Sequence, residues 1–168
     1  MATPAPGIQL PNEVQGRRPA RPARDSIHDA VVNALVKDGW EITDDPLFVE
    51  YGGRNLLIDL AATTDETDFV SLEQHGARIA VEIKSFSGHS PVQELERAVG
   101  QYVIYNLVLE TVDPNRTLYL ATDEAVLKEF FDEPNGRLVR RRLPLRIVAI
   151  NCLTEEVVEW SPPPMPTF

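Results

Sequence analysis

Residues 78–85 read Arg-Ile-Ala-Val-Glu-Ile-Lys-Ser and form the clearest β-strand pattern in the chain. Apolar and charged residues alternate in its second half, which indicates a strand with two different faces. We expect Val81 and Ile83 to face one side of a sheet, while Glu82 and Lys84 face the other. A Glu-x-Lys pair on a strand is usually a weakly stabilising surface pattern, so these residues alone do not indicate an active site.

A second apolar segment precedes this strand. Residues 55–61 read Asn-Leu-Leu-Ile-Asp-Leu-Ala, an apolar strand interrupted by Asp59. An isolated buried carboxylate is costly, so we expect Asp59 to lie beside Glu82 and Lys84 on a neighbouring strand. Asp59, Glu82 and the Ile83 carbonyl could hold one or two Mg²⁺ or Mn²⁺ ions with water, while Lys84 assists an attacking water. The cluster predicts metal-dependent phosphodiester hydrolysis.

The remaining elements are predicted from apolar spacing and turn residues. Helices are expected from Ser26 to Gly39, from about Val92 to Glu110 and from Asp123 to Phe131. Further strands are expected at 40–43, 47–51, 117–121, 145–150 and 157–160, and the polar stretch 63–76 is expected to be a loop or short helix. A three-strand meander followed by alternating helices and strands predicts an α/β domain whose mixed central sheet is flanked by helices.

The two ends of the chain differ from its middle in composition. Residues 1–24 are rich in proline and arginine, and residues 162–168 are rich in proline, so we expect two tails around a single domain at 25–161. The single cysteine allows no internal disulfide, which favours a cytoplasmic location, and no apolar run is long enough to predict a membrane helix.

The net charge of −10 is unevenly distributed. Residues 1–24 carry four arginines and one glutamate, a balance of +3, whereas the rest carries 12 basic and 25 acidic residues, a balance of −13. An acidic body is unusual for a protein that binds DNA unaided, because phosphate neutralisation drives such binding. Either a partner contacts the DNA, or arginines supply local contacts.

The order of Asp59 and then Glu82-Ile83-Lys84 resembles the signature of the PD-(D/E)XK nuclease superfamily, with Ile58 where the signature has proline. Gln101 and Tyr105 resemble the Gln-x-x-x-Tyr element of RecB-like members, and their spacing puts them on one helix face. The resemblance implies a restriction-endonuclease-like fold in which Gln101 and Tyr105 support the site. The alternative is that Tyr105 packs in the core and Gln101 lies on a helix surface.

Several further segments are similar to the XisH family, at 24–35, 37–40, 45–48, 51–54, 80–86 and 98–102. XisH proteins are excision controlling factors, named for the fdxN element that is removed during cyanobacterial heterocyst development. The resemblance spans about Arg24 to Trp160. It implies a nuclease-like fold and a small XisI-type protein as partner.

Other residues are weaker candidates. The first helix of several nuclease folds supports the metal site, which His28 or Asp29 could do here, although such a histidine more often caps or packs a helix. Arg54 follows a predicted turn and could lie near the site. The arginines that follow could contact DNA, contact a partner or lie in a solvated loop. They are Arg137, Arg140, Arg141 and Arg142.

Two functional hypotheses remain open at this point. The first is a Mg²⁺-dependent DNA endonuclease that a XisI-type partner gates or targets. The second is a catalytically silent regulatory factor that binds a protein partner during DNA-element excision. In either case the chain could form homo- or hetero-oligomers. A third possibility, a plain domain with a satisfied polar pair, predicts only modest stability changes when the cluster is mutated.

Overall fold

The computed structural model describes residues 26–64 and 76–165. The expected tail at 1–24, and most of the polar stretch expected at 63–76, lie outside these ranges. The elements follow in chain order: α1 (His28–Lys37), β1 (Glu41–Asp44), β2 (Leu47–Tyr51), β3 (Arg54–Ile58), β4 (Leu60–Thr63), β5 (Arg78–Ile83), α2 (Pro91–Val112), β6 (Thr117–Asp123), α3 (Glu124–Val126), a π-helical turn (Leu127–Phe131), α4 (Pro134–Arg142), β7 (Ile147–Asn151) and β8 (Glu156–Ser161).

The central sheet has six strands in the order β1-β4-β5-β6-β7-β8. The inner strands β5, β6 and β7 are parallel, and the outer pairs are antiparallel. The predicted mixed sheet with flanking helices is therefore confirmed. The predicted three-strand meander is wrong, because β1 pairs with β4 while β2 pairs with β3 in a separate two-stranded sheet. The chain of β1 and β2 runs antiparallel to the chain of β3 and β4, and the four strands form one ribbon. This ribbon bends at 45–46 and at Asp59, so that its outer half, β2 and β3, leaves the central sheet.

Apolar residues of alternating strand positions form two cores, one on each face of the sheet. Ile79, Val81 and Ile83 of β5 face the core under α1, whereas Ala80 faces the core under α2 and the π-helical turn. Because side chains alternate along a strand, Glu82 belongs to the α2 face with Ala80. This face carries the candidate site.

The helices begin where local residues favour a helix start. α2 begins at Pro91 after Ser90 in an extended conformation, which agrees with the predicted start. α4 begins at Pro134 and was missed, because its polar, arginine-rich sequence has few apolar residues. The solvated-loop alternative for its arginines is wrong. Within the described ranges, no helix is both long and apolar enough to span a membrane.

Candidate functional site

Asp59 lies at the bend between β3 and β4 rather than within one continuous strand, as the sequence had suggested. β4 and β5 are paired through Leu60 and Val81, and beyond that pair the ribbon turns away from β5. The Ile83 N–H donates a hydrogen bond of 2.8 Å to Asp59 Oδ2. The carboxylate thus replaces a main-chain acceptor at the end of the ladder, which fixes its position next to Glu82.

Glu82 is a buried acid, with only 2% of its surface exposed. Its Oε1 lies 2.9 Å from Lys84 Nζ, whereas its buried Oε2 has no hydrogen-bond partner among the described residues. Burial, together with the nearby Asp59 charge, raises the pKa of Glu82 to about 7 against the lowering effect of Lys84. One ammonium therefore does not fully stabilise the ionised carboxylate, and a second cation would.

The donor set of this cluster fits a hard cation such as Mg²⁺. The main-chain N–H of Lys84 bonds to Ala121, and its carbonyl accepts from Thr122, so both groups face β6. The main-chain groups of Ile83 then face the other way, toward Asp59. Two carboxylates and the Ile83 carbonyl are oxygen donors of the type that Mg²⁺ prefers, with water filling the other positions. In the part of the chain that is described, no group of three or more His, Cys, Asp or Glu side chains is arranged so that it could hold a metal ion.

The long helix brings a second polar pair to the cluster. Gln101 Nε2 donates to the Tyr105 hydroxyl at 2.8 Å, so the two side chains share one face of α2. Burial raises the pKa of Tyr105, and the charges of Glu82 and Asp59 raise it further. The charges of both carboxylates thus act on the Tyr105 hydroxyl. It also packs partly against the core, so its packing role and its proximity to the cluster coexist.

The first helix places His28 beside Asp45. His28 is 3% exposed, and its Nε2 lies 3.2 Å from Asp45 Oδ2. The strand register puts Asp45 across the ribbon from the Asp59 bend. Among the described residues His28 makes no hydrogen bond with the carboxylates of the cluster, and Asp29 is exposed on the first turn of α1. Sequence reasoning missed Asp45, because an aspartate before a proline resembles an ordinary turn residue.

The candidate arginines separate into two regions. Arg54 starts β3 at the tip of the β2–β3 hairpin, about 16 Å along the strand from Asp59, so it does not adjoin the cluster. Arg137, Arg141 and Arg142 are exposed on α4. Arg140 instead binds Asp132 at 2.9 Å.

Comparison with known proteins agrees with this architecture. The family model described as "XisH protein" matches residues 21–158. The crystal structure of an XisH family protein from Nostoc punctiforme PCC 73102 is 34% identical, with a TM-score of 0.72, over 81% of this chain and 98% of that chain. The crystal structure of an fdxN element excision controlling factor protein from Anabaena variabilis is 36% identical, with a TM-score of 0.70, over 82% of this chain and 98% of that chain. No curated protein matches the sequence.

Proposed function

The chain belongs to the XisH family, and from this premise we propose that its Asp59–Glu82–Lys84 cluster is a Mg²⁺- or Mn²⁺-dependent DNA endonuclease site that acts in the control of DNA-element excision. The name of the relative from Anabaena variabilis supports the link to excision control. The observation that carries the nuclease proposal is the buried Glu82 carboxylate, whose Oε2 lacks a described partner while a second carboxylate adjoins it.

Each residue of the cluster has a chemical role in this proposal. Asp59, Glu82 and the Ile83 carbonyl would hold the metal, and a bound metal would lower the pKa of a water and neutralise charge on the scissile phosphate. Asp59 is held ready by the Ile83 N–H. Lys84 is 27% exposed, so its ammonium can reach solvent, orient the attacking water and offset negative charge on the phosphate.

The polar pair on α2 would position the site rather than react. The Tyr105 hydroxyl accepts a hydrogen bond from Gln101, so its own hydrogen remains available to donate to a carboxylate or a phosphate oxygen.

We further propose that the domain has a restriction-endonuclease-like fold. The order of α1, the strands up to β5, α2 and β6 supports a restriction-endonuclease-like fold, since the candidate acids then flank the antiparallel-to-parallel transition of the sheet. Asp59 lies directly before β4 begins, and Glu82 lies next to the carboxyl end of the antiparallel neighbour β5. Such positions commonly hold binding sites in α/β sheets.

A XisI-type protein is the proposed partner that gates or targets the site. The balance of −13 outside residues 1–24 supports this, because an acidic surface suits a protein partner at least as well as a phosphate backbone. The second candidate function, a silent regulator, is favoured by a different observation. Lys84 already pairs with Glu82, and Asp59 already accepts from Ile83, so both acids have partners in the absence of metal.

Cleavage of supercoiled plasmid and branched DNA distinguishes the two functions. Wild type, Lys84→Ala and the surface control Lys37→Ala would be compared in Mg²⁺, Mn²⁺ and EDTA, with and without the XisI-type partner. The nuclease proposal predicts metal-dependent cleavage that Lys84→Ala lowers about 100-fold and Lys37→Ala leaves unchanged. No cleavage by wild type under all these conditions would support the silent regulator.

A further inference from the structure

Three arginines and Asp132 surround a surface depression between the π-helical turn and α4. The cavity has a volume of about 390 Å³ and is lined by Asp132, Arg137, Arg140 and Arg141. Four of the 12 basic residues outside the first 24 positions fall within 137–142. In a body with a balance of −13, this is a marked local concentration of positive charge.

The arginines of the depression are not equivalent. Arg140 donates to Asp132 Oδ1 and to Ser161 Oγ, both at 2.9 Å, and its side chain is only 22% exposed. It therefore joins α4 to the end of β8. Arg137 and Arg141 are exposed and have no carboxylate partner among the described residues. They lie one helical turn apart, so their guanidinium groups cover the same face of α4.

Arg141 keeps most of its donors available. Its Nε bonds to the Arg137 carbonyl at 3.3 Å, which directs the side chain back along the helix. Among the described residues, no hydrogen bond or ion pair engages the terminal NH₂ groups of either arginine. Guanidinium groups of this kind bind phosphate oxygens in a bidentate manner.

α4 is linked by packing contacts to the segment that follows β5. Phe86, two residues after Lys84, packs its ring against Phe130 and Phe131 at centroid distances of 5.0 and 5.6 Å. α4 packs on this turn through Gly136, where a Cβ atom would overlap the Phe130 carbonyl oxygen. A glycine inside a helix is unfavourable, and here close packing requires it. α4 thus lies on the α2 face of the sheet, as Glu82 does.

We propose that the Arg137–Arg141 face of α4 binds backbone phosphates of duplex DNA and holds the duplex against the site face. The inference rests on the proposed function, since it takes DNA as the substrate. A polyanion approaching an acidic protein needs a local positive surface, and α4 provides one on the face that would cut it. An acidic protein segment is the competing occupant.

Binding of a fluorescent duplex, measured by anisotropy in EDTA at several KCl concentrations, tests this inference without cleavage. Arg137→Ala/Arg141→Ala should lower affinity roughly 10- to 100-fold and reduce the slope of log K against log salt by about 2, one phosphate contact per arginine. Arg137→Lys/Arg141→Lys should retain most of the slope but lose part of the affinity, because the charge remains and bidentate pairing does not. The control Lys37→Ala/Arg97→Ala changes the net charge equally and should bind as wild type does.

Three results would each overturn the inference. They are unchanged DNA affinity in the alanine variant, no DNA binding by wild type at any salt concentration, and tighter binding of wild type to poly-glutamate than to DNA. The failure of the proposed function looks different. Arginine-dependent DNA binding without any metal-dependent cleavage would refute the proposed nuclease activity and leave the role of α4 intact. Metal-dependent cleavage with arginine-independent binding would refute only the role of α4.

Discussion

Replacing Glu82 by glutamine should change how the stability of the fold depends on pH. The pKa of Glu82 is raised from 4.5 to about 7, chiefly by burial, so between these two pH values the folded protein keeps a proton that the unfolded chain releases. Stability from this group is therefore fully present below pH 4.5 and is lost as pH rises through 7. At 1.36 kcal/mol for each pKa unit, the loss is about 3 kcal/mol.

Glutamine cannot ionise, so the variant should lack this loss. Its amide oxygen can still accept from Lys84 Nζ, which lies 2.9 Å from Glu82 Oε1 in the wild type, so the substitution removes the ionisable group and keeps the hydrogen bond. The free energy of unfolding of Glu82→Gln minus that of wild type should therefore rise by about 2.5 kcal/mol between pH 5 and pH 8, because a small part of the loss has already occurred at pH 5. Glu96→Gln, an exposed acid on α2, is the matched control and should show no comparable change.

Urea unfolding at pH 5, 6, 7 and 8, in EDTA and followed by tryptophan fluorescence, gives these free energies by linear extrapolation. A difference between Glu82→Gln and wild type that stays constant over this range would refute the reasoning. It would mean that Glu82 is ionised in the folded protein throughout, so no second cation would be needed beside it.

Three further changes test other parts of the molecule. Phe131→Ala should lower the free energy of unfolding by about 3–5 kcal/mol, because this ring is fully buried, and urea unfolding at constant m-value measures it. Asp38→Ala should lower the free energy of unfolding by about 1–2 kcal/mol and shift tryptophan emission, since Asp38 accepts hydrogen bonds from Trp40 at 3.2 Å and from Trp160 at 3.0 Å. Asp38→Asn keeps an acceptor oxygen and should lose less stability. Tyr105→Phe should lower metal-dependent cleavage about tenfold with less than about 1 kcal/mol lost in stability, and equal losses in both would contradict a positioning role.

The order and type of most elements could be predicted from periodicity. The strand at β5 and the start of α2 were predictable because alternation and a Ser-Pro start are local signals. The pairing of β1 with β4 was not, because it depends on two bends that fall opposite each other in the ribbon. α4 was missed because its helical stability comes from Gly136 packing on the π-helical turn and not from an apolar stripe.

The candidate site was predictable in its residue types and less so in its geometry. The sequence places Asp59, Glu82 and Lys84 on adjacent strands, and the structure brings them together. The sequence could not indicate that Asp59 Oδ2 accepts a hydrogen bond from the Ile83 N–H, since that bond forms only because the ribbon bends there. Nor could it pair His28 with Asp45, because this contact joins a helix start to a turn through tertiary packing.

Calorimetric titration of Mg²⁺ into wild type and Asp59→Asn at pH 8 tests the metal site most directly. The asparagine keeps an oxygen for the Ile83 N–H and removes only the negative charge, so the bend should persist while metal affinity is lost. We predict saturable Mg²⁺ binding by wild type, with a rise in melting temperature as Mg²⁺ increases, and neither effect in Asp59→Asn. Absence of saturable binding by wild type at millimolar Mg²⁺, or equal binding by both proteins, would contradict the assignment of this cluster as a metal-dependent site.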